Sequence, residues 1–524
     1  MNIQTTSATE ASAESENRDT KKHLRGSTLL LAGRIIALVT TFAVQVLTVR
    51  YLSKSDYGAF AYVLSLASLG SSIAVFGLDK TITRFAPIYQ ERGDYPKLFG
   101  TIIMMVCTIL SIGFFLILLV FGFRGWIGES FINDQLAFKL LFLLVFLLPI
   151  DALDSLMEGL FAVFARPRTI FFRRHVLGPG LKLSVVLLLI FLRSDVYFLS
   201  IGYLVAGAIG VLLYSGIFIQ HIRNNQELSK HFNIRAVKFP VKEVFGFSIP
   251  LLTTDFVYVL RENLVIVMLE HFRSASDVAA YRAVVPIARL NLVVIQSFAF
   301  LFMPMAARMF ANKDEDGINH LYWQSAIWIT VISLPLFLVT FSLAQPLTLL
   351  LFGERYAQSA LVMALLAFGY YFNAALGFNS NTLRVYGRVR YIIAIDFLAV
   401  VISLILSFGL IPRYGAVGAA VGACGTLVAH NILNHIGLKF ATKINLFQWR
   451  YLKVYAGVVL GTLGLVLFQR LAAPPIYISL FLAGLLSLVV LFISRNVLNI
   501  EQTFPELLRF RLVRIFFSSD SNKK

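Results

Sequence analysis

The sequence predicts an all-α integral membrane protein of about 14 transmembrane helices, in two pseudo-symmetric six-helix lobes followed by two C-terminal helices. Three observations favour this fold class. The 524 residues are 58% hydrophobic and only 14% charged, and the mean hydropathy is +0.77, which excludes a soluble globular protein. Apolar runs of about 20 residues recur throughout, as spanning helices require. Basic residues concentrate in alternate loops.

The spans follow one another with short connections, and a polar segment after the sixth divides the chain. We place the spans at approximately 28–49, 58–78, 98–121, 139–160, 171–192, 197–219, 244–268, 280–304, 321–343, 358–381, 391–410, 415–437, 453–470 and 475–494. The predicted domains are a disordered cytoplasmic N-terminal tail (1–25), an N-lobe (26–220), a cytoplasmic linker (221–243), a C-lobe (244–440), the last two spans (441–496) and a basic cytoplasmic C-terminal tail (497–524).

The formal net charge of +18 is distributed as a membrane topology signal. With a cytoplasmic N-terminus, roughly 32 basic residues fall on the cytoplasmic side and roughly 10 on the other. Lys80 and Arg84 are counted in one of these cytoplasmic segments, Leu78–Lys97. The distribution predicts a multi-pass protein of the cell (inner or plasma) membrane with both termini in the cytoplasm, and no nucleic-acid partner.

The two cysteines, Cys107 and Cys424, lie in apolar spans and indicate neither a disulfide framework nor a metal site. We therefore expect no metal and no other cofactor. Coupling of transport to H⁺ or Na⁺ stays open at this point.

The stretch 249–269 combines spanning length with ionisable residues. Asp255, Arg261 and Glu262 lie well inside its ends. On a helix, Asp255, Tyr258 and Glu262 stand at i, i+3 and i+7 and form one polar stripe. Because such a stripe is costly against lipid, it predicts a water-filled cavity or partner helices. A hydrogen-bonding network between helices, or snorkelling of Arg261 and Glu262 to the interface, is the structural alternative.

Two spans of the N-lobe carry further polar rows. The first holds Arg34 and Gln45 on one side, with Arg34 close enough to the cytoplasmic end to snorkel. The fourth carries three acids at i, i+3 and i+7: Asp151, Asp154 and Glu158. Acids at this depth need basic partners or water, and Lys182 in span five is the expected partner. A buried structural ion pair and a functional site are equally compatible with this pattern.

The C-lobe holds a comparable set. Span eight places Arg289 and Gln296 one heptad apart, span ten has Asn373 on its polar side, and span eleven carries Asp396. A polar group follows in span twelve: His430, Asn431, Asn434 and His435. The histidine spacing of i, i+5 is not that of a helical metal pair, so hydrogen bonding between helices is favoured.

The two halves correspond weakly in sequence. An offset of 221 places residues 50–56 on 271–277, and an offset of 224 places Gly93 on Gly317. The correspondence agrees with the order of the apolar runs, as in transporters built from repeats. Since each lobe has an even number of spans, both insert in the same orientation, and the transport path is expected between them.

Several segments together resemble the polysaccharide-biosynthesis flippases, which share a superfamily with the multidrug and toxin extrusion transporters and the lipid II flippases. They are Val49–Phe60, Phe76-Gly-Leu-Asp79, Thr83-Arg-Phe-Ala86, Gly93-Asp94, Tyr386-Gly-Arg-Val-Arg390 and Tyr414-Gly-Ala-Val-Gly-Ala-Ala420. The resemblance extends to span number and loop order, and the two extra C-terminal spans match flippases better than twelve-span drug exporters.

The resemblance implies two lobes around a central cavity and alternating access that moves a lipid-diphosphate-linked oligosaccharide from the cytoplasmic to the outer leaflet, for export of a surface polysaccharide. The implied partners are the polyprenyl-diphosphate-linked oligosaccharide and membrane lipids, with a polysaccharide polymerase and glycosyltransferases left open.

The candidate site residues fall into three groups. The cationic, substrate-binding group is Arg34, Arg261, Arg289 and Lys182, the first three by position in the family. The group expected to balance charge or carry a coupling ion is Asp255, Glu262, Asp396 and Asp151. The remaining polar cavity residues are Gln45, Tyr258, Gln296 and Asn373.

Three alternatives compete with the flippase hypothesis. A cation-coupled multidrug antiporter of the same fold needs an acidic and aromatic cavity, whereas this cavity is mixed and carries several arginines. A membrane polymerase or glycosyltransferase acting on lipid-linked sugars needs a large polar catalytic loop and a nucleophile–base arrangement, and neither is evident. A membrane scaffold does not explain polar stripes on so many spans.

Overall fold

A computed structural model describes residues 33–164, 167–231, 233–442, 444–445 and 447–498. The described part is helical and contains no strand. Twelve of its helices are long and apolar enough to cross a membrane, or thirteen if a pair bent by 48° is one span. The predicted all-α membrane fold is confirmed, whereas the count of about 14 is not established. The predicted N-terminal tail, 1–25, lies outside the described residues, and so does all but the first two residues of the predicted C-terminal tail, 497–524.

The chain divides into two compact units, Met1–Val267 and Met268–Lys524. The long helices of the first unit are α1 (Gly33–Tyr51), α2 (Lys54–Val75), α3 (Leu78–Glu91), α4 (Tyr95–Gly122), α5 (Gln135–Leu144), α6 (Leu147–Phe164), α7 (Gly178–Phe191), α8 (Val196–Asn224) and α9 (Val241–Phe272), which continues into the second unit. Short turns lie between them: Arg124–Trp126, Ile127–Phe131, Pro167–Phe171, Phe172–Leu177, Gln226–His231 and Ile234–Ala236.

The second unit contains α10 (Ala275–Ala288), α11 (Leu292–Ala311), α12 (Glu315–Phe337), α13 (Ala344–Phe352), α14 (Ser359–Ala375), α15 (Asn379–Val385), α16 (Val389–Ala441), α17 (Leu452–Ala472) and α18 (Ile476–Ile493). Its short turns are Arg289–Asn291, Leu338–Ser342, Glu354–Tyr356, Trp449–Tyr451 and Arg495–Leu498.

α16 is interrupted where two separate spans are predicted. Gly415 has φ 55° and ψ −132°, which is not helical. A Cβ atom there would lie 2.5 Å from Oδ1 of Asp277, and the same oxygen accepts a hydrogen bond from the Ala416 amide at 3.2 Å. Glycine is therefore required both by the positive φ and by the close approach.

Matching helix caps support the predicted repeat. The Ser53 hydroxyl accepts a hydrogen bond from the Asp56 amide at the start of α2. Ser274 does the same for the Asp277 amide at the start of α10. These caps are separated by 221 residues, the offset found in the sequence, so the two local structures are equivalent.

A second pair of caps corrects the other offset. Asp94 caps α4 and Asp314 caps α12, and the residues before them, Gly93 and Lys313, both have positive φ. The local geometry thus aligns at an offset of 220. The offset of 224, which placed Gly93 on Gly317, is wrong at this turn. Gly93 shares its residue type with Gly317 but its backbone conformation with Lys313.

The segment predicted as cytoplasmic, Leu78–Lys97, is mostly helix. α3 follows α2 after a break at Phe76 and Gly77, both in the left-handed region, and the 38 residues 54–91 together contain a stretch apolar enough to cross a membrane. The loop prediction was wrong here because the charged residues occupy one face of a helix whose other face is buried.

Candidate functional site

A polar cavity of about 260 Å³ lies within the first unit, between α2, α3, α6 and α9. The charged and aromatic groups on its wall are Asp79, Lys80, Asp255 and Tyr258. Four serines complete its polar lining: Ser68, Ser71, Ser72 and Ser155. The Lys80 ammonium and the Asp255 carboxylate form an ion pair across it. The cavity therefore offers both charges and several hydroxyl groups inside an apolar helix bundle.

The amphipathic pattern of α3 explains why Lys80 faces this cavity. Leu78, Ile82, Ala86 and Tyr89, at i, i+4, i+8 and i+11, are buried in the core of the unit. Lys80 stands on the other side of the helix. α6 approaches α3 closely beside it, since a Cβ atom at Gly159 would lie 2.4 Å from the Asp79 carbonyl oxygen. Small residues permit such close helix packing in membranes.

The first half of α9 packs along α3 through polar and aromatic contacts. The hydroxyls of Thr81 and Ser248 lie 2.8 Å apart and are hydrogen-bonded. The Arg84 guanidinium lies 4.3 Å from the ring centroid of Phe247, a cation–π distance. Tyr89 donates to Oε2 of Glu243 at 2.8 Å. These contacts fix the register that places Asp255 opposite Lys80.

The structure brings only part of the predicted α9 stripe to the cavity. Asp255 and Tyr258 line it. The Arg261 guanidinium lies 5.8 Å from the Tyr258 ring centroid and is half-buried. Glu262 is half-buried and does not line this cavity. Asp255 was expected to balance charge or carry a coupling ion, and the described structure pairs it with Lys80, which the sequence assigned to a loop.

The acids of α6 find partners that the sequence did not predict. Nη2 of Arg173 donates to both the carbonyl oxygen and Oδ1 of Asp154, at 2.8 and 2.7 Å, and Arg174 pairs with Glu158 at 2.7 Å. Lys182 was expected to pair with these acids, but it lies in α7, after the turn that carries Arg173 and Arg174. These two carboxylates therefore form ion pairs with the turn before α7.

Lys182 and Asp151 are both exposed within the unit. The Lys182 ammonium lies 5.4 Å from the ring centroid of Tyr203 and is within electrostatic range of Asp151. The expected pairing of Lys182 with the acids of span four thus holds for one of the three, as a charge interaction without direct contact.

The predicted residues of α1 lie near one end and the middle of the helix. Arg34 is exposed and lies within electrostatic range of His175. The helix packs tightly there, since a Cβ atom at Gly33 would lie 2.6 Å from the His175 ring. Further along, Gln45 donates to the Tyr57 hydroxyl at 2.7 Å.

In the second unit, Arg289 lies in the short turn Arg289–Asn291 that separates α10 from α11. Its Nε donates to the hydroxyl of Tyr370 at 3.1 Å, and its guanidinium lies 5.9 Å from that ring. Gln296 is exposed and Asn373 is half-buried. Arg289 is held at a helix break, where its side chain is oriented by an aromatic hydroxyl.

A polar network surrounds Asp396. Its Oδ1 lies 2.8 Å from Nε2 of His430, which is 3.2 Å from Nδ2 of Asn434. The sequence predicted that Asp396 balances charge or carries a coupling ion, and in the described structure its side chain contacts a histidine. The other members make hydrogen bonds between helices, as predicted: Asn379 donates to Asn431, and His435 bonds the Tyr322 hydroxyl at 3.1 Å.

Lys80 and Arg84 are the residues that sequence reasoning missed. The signal for a helix here was present, because the apolar positions 78, 82, 86 and 89 have helical spacing.

Within the described part of the chain, no three His, Cys, Asp or Glu side chains are grouped so that they could hold a metal ion.

Comparison with known proteins identifies the family. The family model described as "Polysaccharide biosynthesis protein" matches residues 23–310, more than half of the 524 residues. The chain belongs to the polysaccharide biosynthesis protein family. A second model, MatE, matches residues 250–408. The superfamily is therefore that of the multidrug, oligosaccharidyl-lipid and polysaccharide exporters, so the chain is a multi-pass membrane transporter and not an enzyme.

Similar proteins are distant in sequence. An uncharacterized membrane protein of Methanocaldococcus jannaschii is 21% identical over 93% of this chain and 99% of its own length. The capsular polysaccharide biosynthesis protein CapF of Staphylococcus aureus is 21% identical over 75% of this chain and 93% of its own. The solved inward closed structure of the lipid II flippase MurJ superposes with a TM-score of 0.67 at 14% identity, over 91% of this chain and 100% of MurJ. This last likeness shows the fold.

Proposed function

We propose that this polysaccharide biosynthesis protein is a flippase that moves a lipid-diphosphate-linked oligosaccharide from the cytoplasmic to the outer leaflet by alternating access. The observation that carries the proposal is the charged cavity of the first unit, where Lys80 and Asp255 pair among apolar helices. Ionised groups in membrane helices are costly and are found where a polar substrate passes.

The chemistry of the substrate explains the cationic residues. A diphosphate headgroup crosses the bilayer only if its hydration is replaced by donors and positive charge. Guanidinium groups supply bidentate donors for phosphate oxygens. In this proposal Arg261 of the first unit and Arg289 of the second each act as a donor to phosphate oxygens of the substrate. Both side chains lie beside tyrosines that orient them. Arg34 and Lys182 are exposed within their unit and complete the cationic set.

The relatives support this substrate class. CapF is named for capsular polysaccharide biosynthesis, and the solved MurJ structure is that of a lipid II flippase. For this chain we propose a polyprenyl-diphosphate-linked oligosaccharide, delivered by cytoplasmic glycosyltransferases and passed to a polysaccharide polymerase at the outer face. Both termini are then in the cytoplasm and the membrane is the cell membrane, as the basic loops predict.

Coupling to H⁺ or Na⁺ is part of the proposal. The carboxylates of Asp255, Glu262 and Asp396 lie in membrane helices, where proton or cation binding changes the charge that must be buried. Asp255 and Asp396 each have a basic partner in the described structure, so ion binding would compete with these pairs.

A multidrug antiporter is the second candidate, because the MatE model matches residues 250–408. An antiporter for cationic drugs needs an excess of acids in its cavity. The arginines that contact tyrosines in both units favour an anionic headgroup instead.

The proposal is tested by deleting the gene in its host and supplying the wild-type chain or Arg261→Ala. Deletion should remove the surface glycan and leave its lipid-linked precursor on the cytoplasmic side, and only wild type should restore export. Normal surface glycan in the deletion strain, together with greater drug sensitivity, would favour the antiporter.

A further inference from the structure

We propose that the cavity of the first unit binds an uncharged, hydroxyl-rich sugar of the glycan, whereas the diphosphate is bound elsewhere by arginines. This inference rests on the proposed function and deepens it. It assigns separate subsites to the two chemical parts of one substrate.

The donor and acceptor set of the cavity matches sugar hydroxyls. Ser72 and Ser155 donate to the carbonyls of Leu69 and Asp151, at 2.7 and 3.0 Å, and each keeps lone pairs that accept from a ligand. Ser68 is exposed on the cavity wall. A surface rich in hydroxyls that both donate and accept is suited to sugars, whose hydroxyls also do both.

The charge of the cavity disfavours a diphosphate. Asp79 and Asp255 contribute two carboxylates, and Lys80 is the only basic residue among the lining groups. Since Lys80 is paired with Asp255, the lining has no unpaired positive charge to offer an anion. Oδ1 of Asp79 is buried without a hydrogen-bond partner among the described residues. Such an acceptor is costly, and a small shift toward a hydroxyl or amide donor would satisfy it.

The size and the aromatic wall fit one sugar unit. The volume of about 260 Å³ is at the lower end of small-molecule pockets, which span roughly 300–1,000 Å³. Tyr258 is 58% exposed and lines the cavity. Its ring offers an apolar face to the C–H groups of a sugar ring, while the serines contact the hydroxyls.

The test compares two soluble short-chain probes, farnesyl diphosphate and farnesyl-diphosphate-N-acetylglucosamine, by calorimetric titration of the purified full-length chain. The wild-type chain should bind the sugar-bearing probe at least about five-fold more tightly than farnesyl diphosphate. This ratio corresponds to the free energy of one hydrogen bond. Ser68→Ala and Asp79→Ala should each reduce this preference to about two-fold or less, since each removes one polar group of the cavity wall. Ser65→Ala on the same helix is the matched control, since its hydroxyl bonds the Ala61 carbonyl, and it should keep the wild-type preference.

Three outcomes would overturn the inference: equal wild-type affinity for both probes, no binding of either, or an unchanged preference in both cavity variants. The readout does not depend on transport. A chain that prefers the sugar-bearing probe but moves no lipid-linked oligosaccharide across vesicles would retain this sugar site and reject the proposed function.

Discussion

The ammonium of Lys80 pairs with the carboxylate of Asp255, although 175 residues separate them in the chain. The pair joins α3 to the middle of α9 beside the polar cavity. Hydrogen bonds further along the same two helices, at Thr81 and Tyr89, hold the register. Removing one partner leaves the other charge without its counter-charge beside the cavity.

We therefore expect Lys80→Ala and Asp255→Ala each to lower glycan export about ten-fold or more, and the swapped double variant Lys80→Asp, Asp255→Lys to recover part of it. Export is measured by surface-glycan staining, with protein amount measured by immunoblot. A double variant no better than the worse single variant would contradict a role for the pair itself.

Arg261→Ala should reduce export at normal expression by about ten-fold or more, because the alanine side chain offers no donor for phosphate oxygens. The amount of protein in the membrane should stay unchanged, since the described contact of Arg261 with Tyr258 is a single cation–π interaction. Arg124→Ala, at an exposed position after α4, is the matched control and should export normally. Full export by Arg261→Ala would remove this residue from the mechanism.

Arg289→Ala should have a similar effect, and Arg289→Lys should not restore export because an ammonium lacks the planar fork of donors. Tyr370→Phe removes only the hydroxyl that orients Nε, so we expect a loss of about two- to five-fold. Arg308→Ala, exposed on α11, serves as the control. A Tyr370→Phe variant more impaired than Arg289→Ala would show that the tyrosine acts independently.

Arg173 should behave as a structural arginine. It is only 4% exposed, donates twice to Asp154, and lies 4.4 Å from the Tyr214 ring centroid. Arg173→Ala should cost roughly 2 kcal/mol because the hydrogen bonds from its buried guanidinium to α6 are lost, and lower protein amount and melting temperature together.

Arg174, the neighbour of Arg173, provides the control for this measurement of melting temperature. Arg174 and Glu158 are half-exposed, and such pairs contribute under about 1 kcal/mol. Arg174→Ala should therefore melt close to wild type in scanning fluorimetry of the detergent-purified protein. Equal melting of the two variants would contradict the assignment of Arg173 to the core.

The sequence predicted the fold class well because spanning length and hydropathy are direct requirements of the bilayer. It also located Asp255 and Tyr258, since a polar stripe on an apolar helix is visible without tertiary structure. The partner of Asp255 was missed because Lys80 follows a helix break at Gly77, and a charged residue after a break was interpreted as loop.

Pairing of charges could not be predicted for a related reason. Asp154 and Glu158 contact Arg173 and Arg174 because a π-helical turn, Phe172–Leu177, precedes α7. Sequence spacing assumes regular α-helix, and this irregular turn changes which side chains face α6. The histidine partner of Asp396 was missed because the two residues lie on segments of α16 separated by the kink at Gly415.

Transport by the purified chain in sealed vesicles tests the central claim most directly. A lipid-diphosphate-linked oligosaccharide is placed in both leaflets, and an external glycosidase measures the fraction of its glycan that becomes accessible. The account predicts that nearly all of the glycan is cleaved with wild-type chain, whereas only the outer half, about 50%, is cleaved with Arg261→Ala or in protein-free vesicles. Cleavage that stops at the outer half with the wild-type chain as well would contradict it.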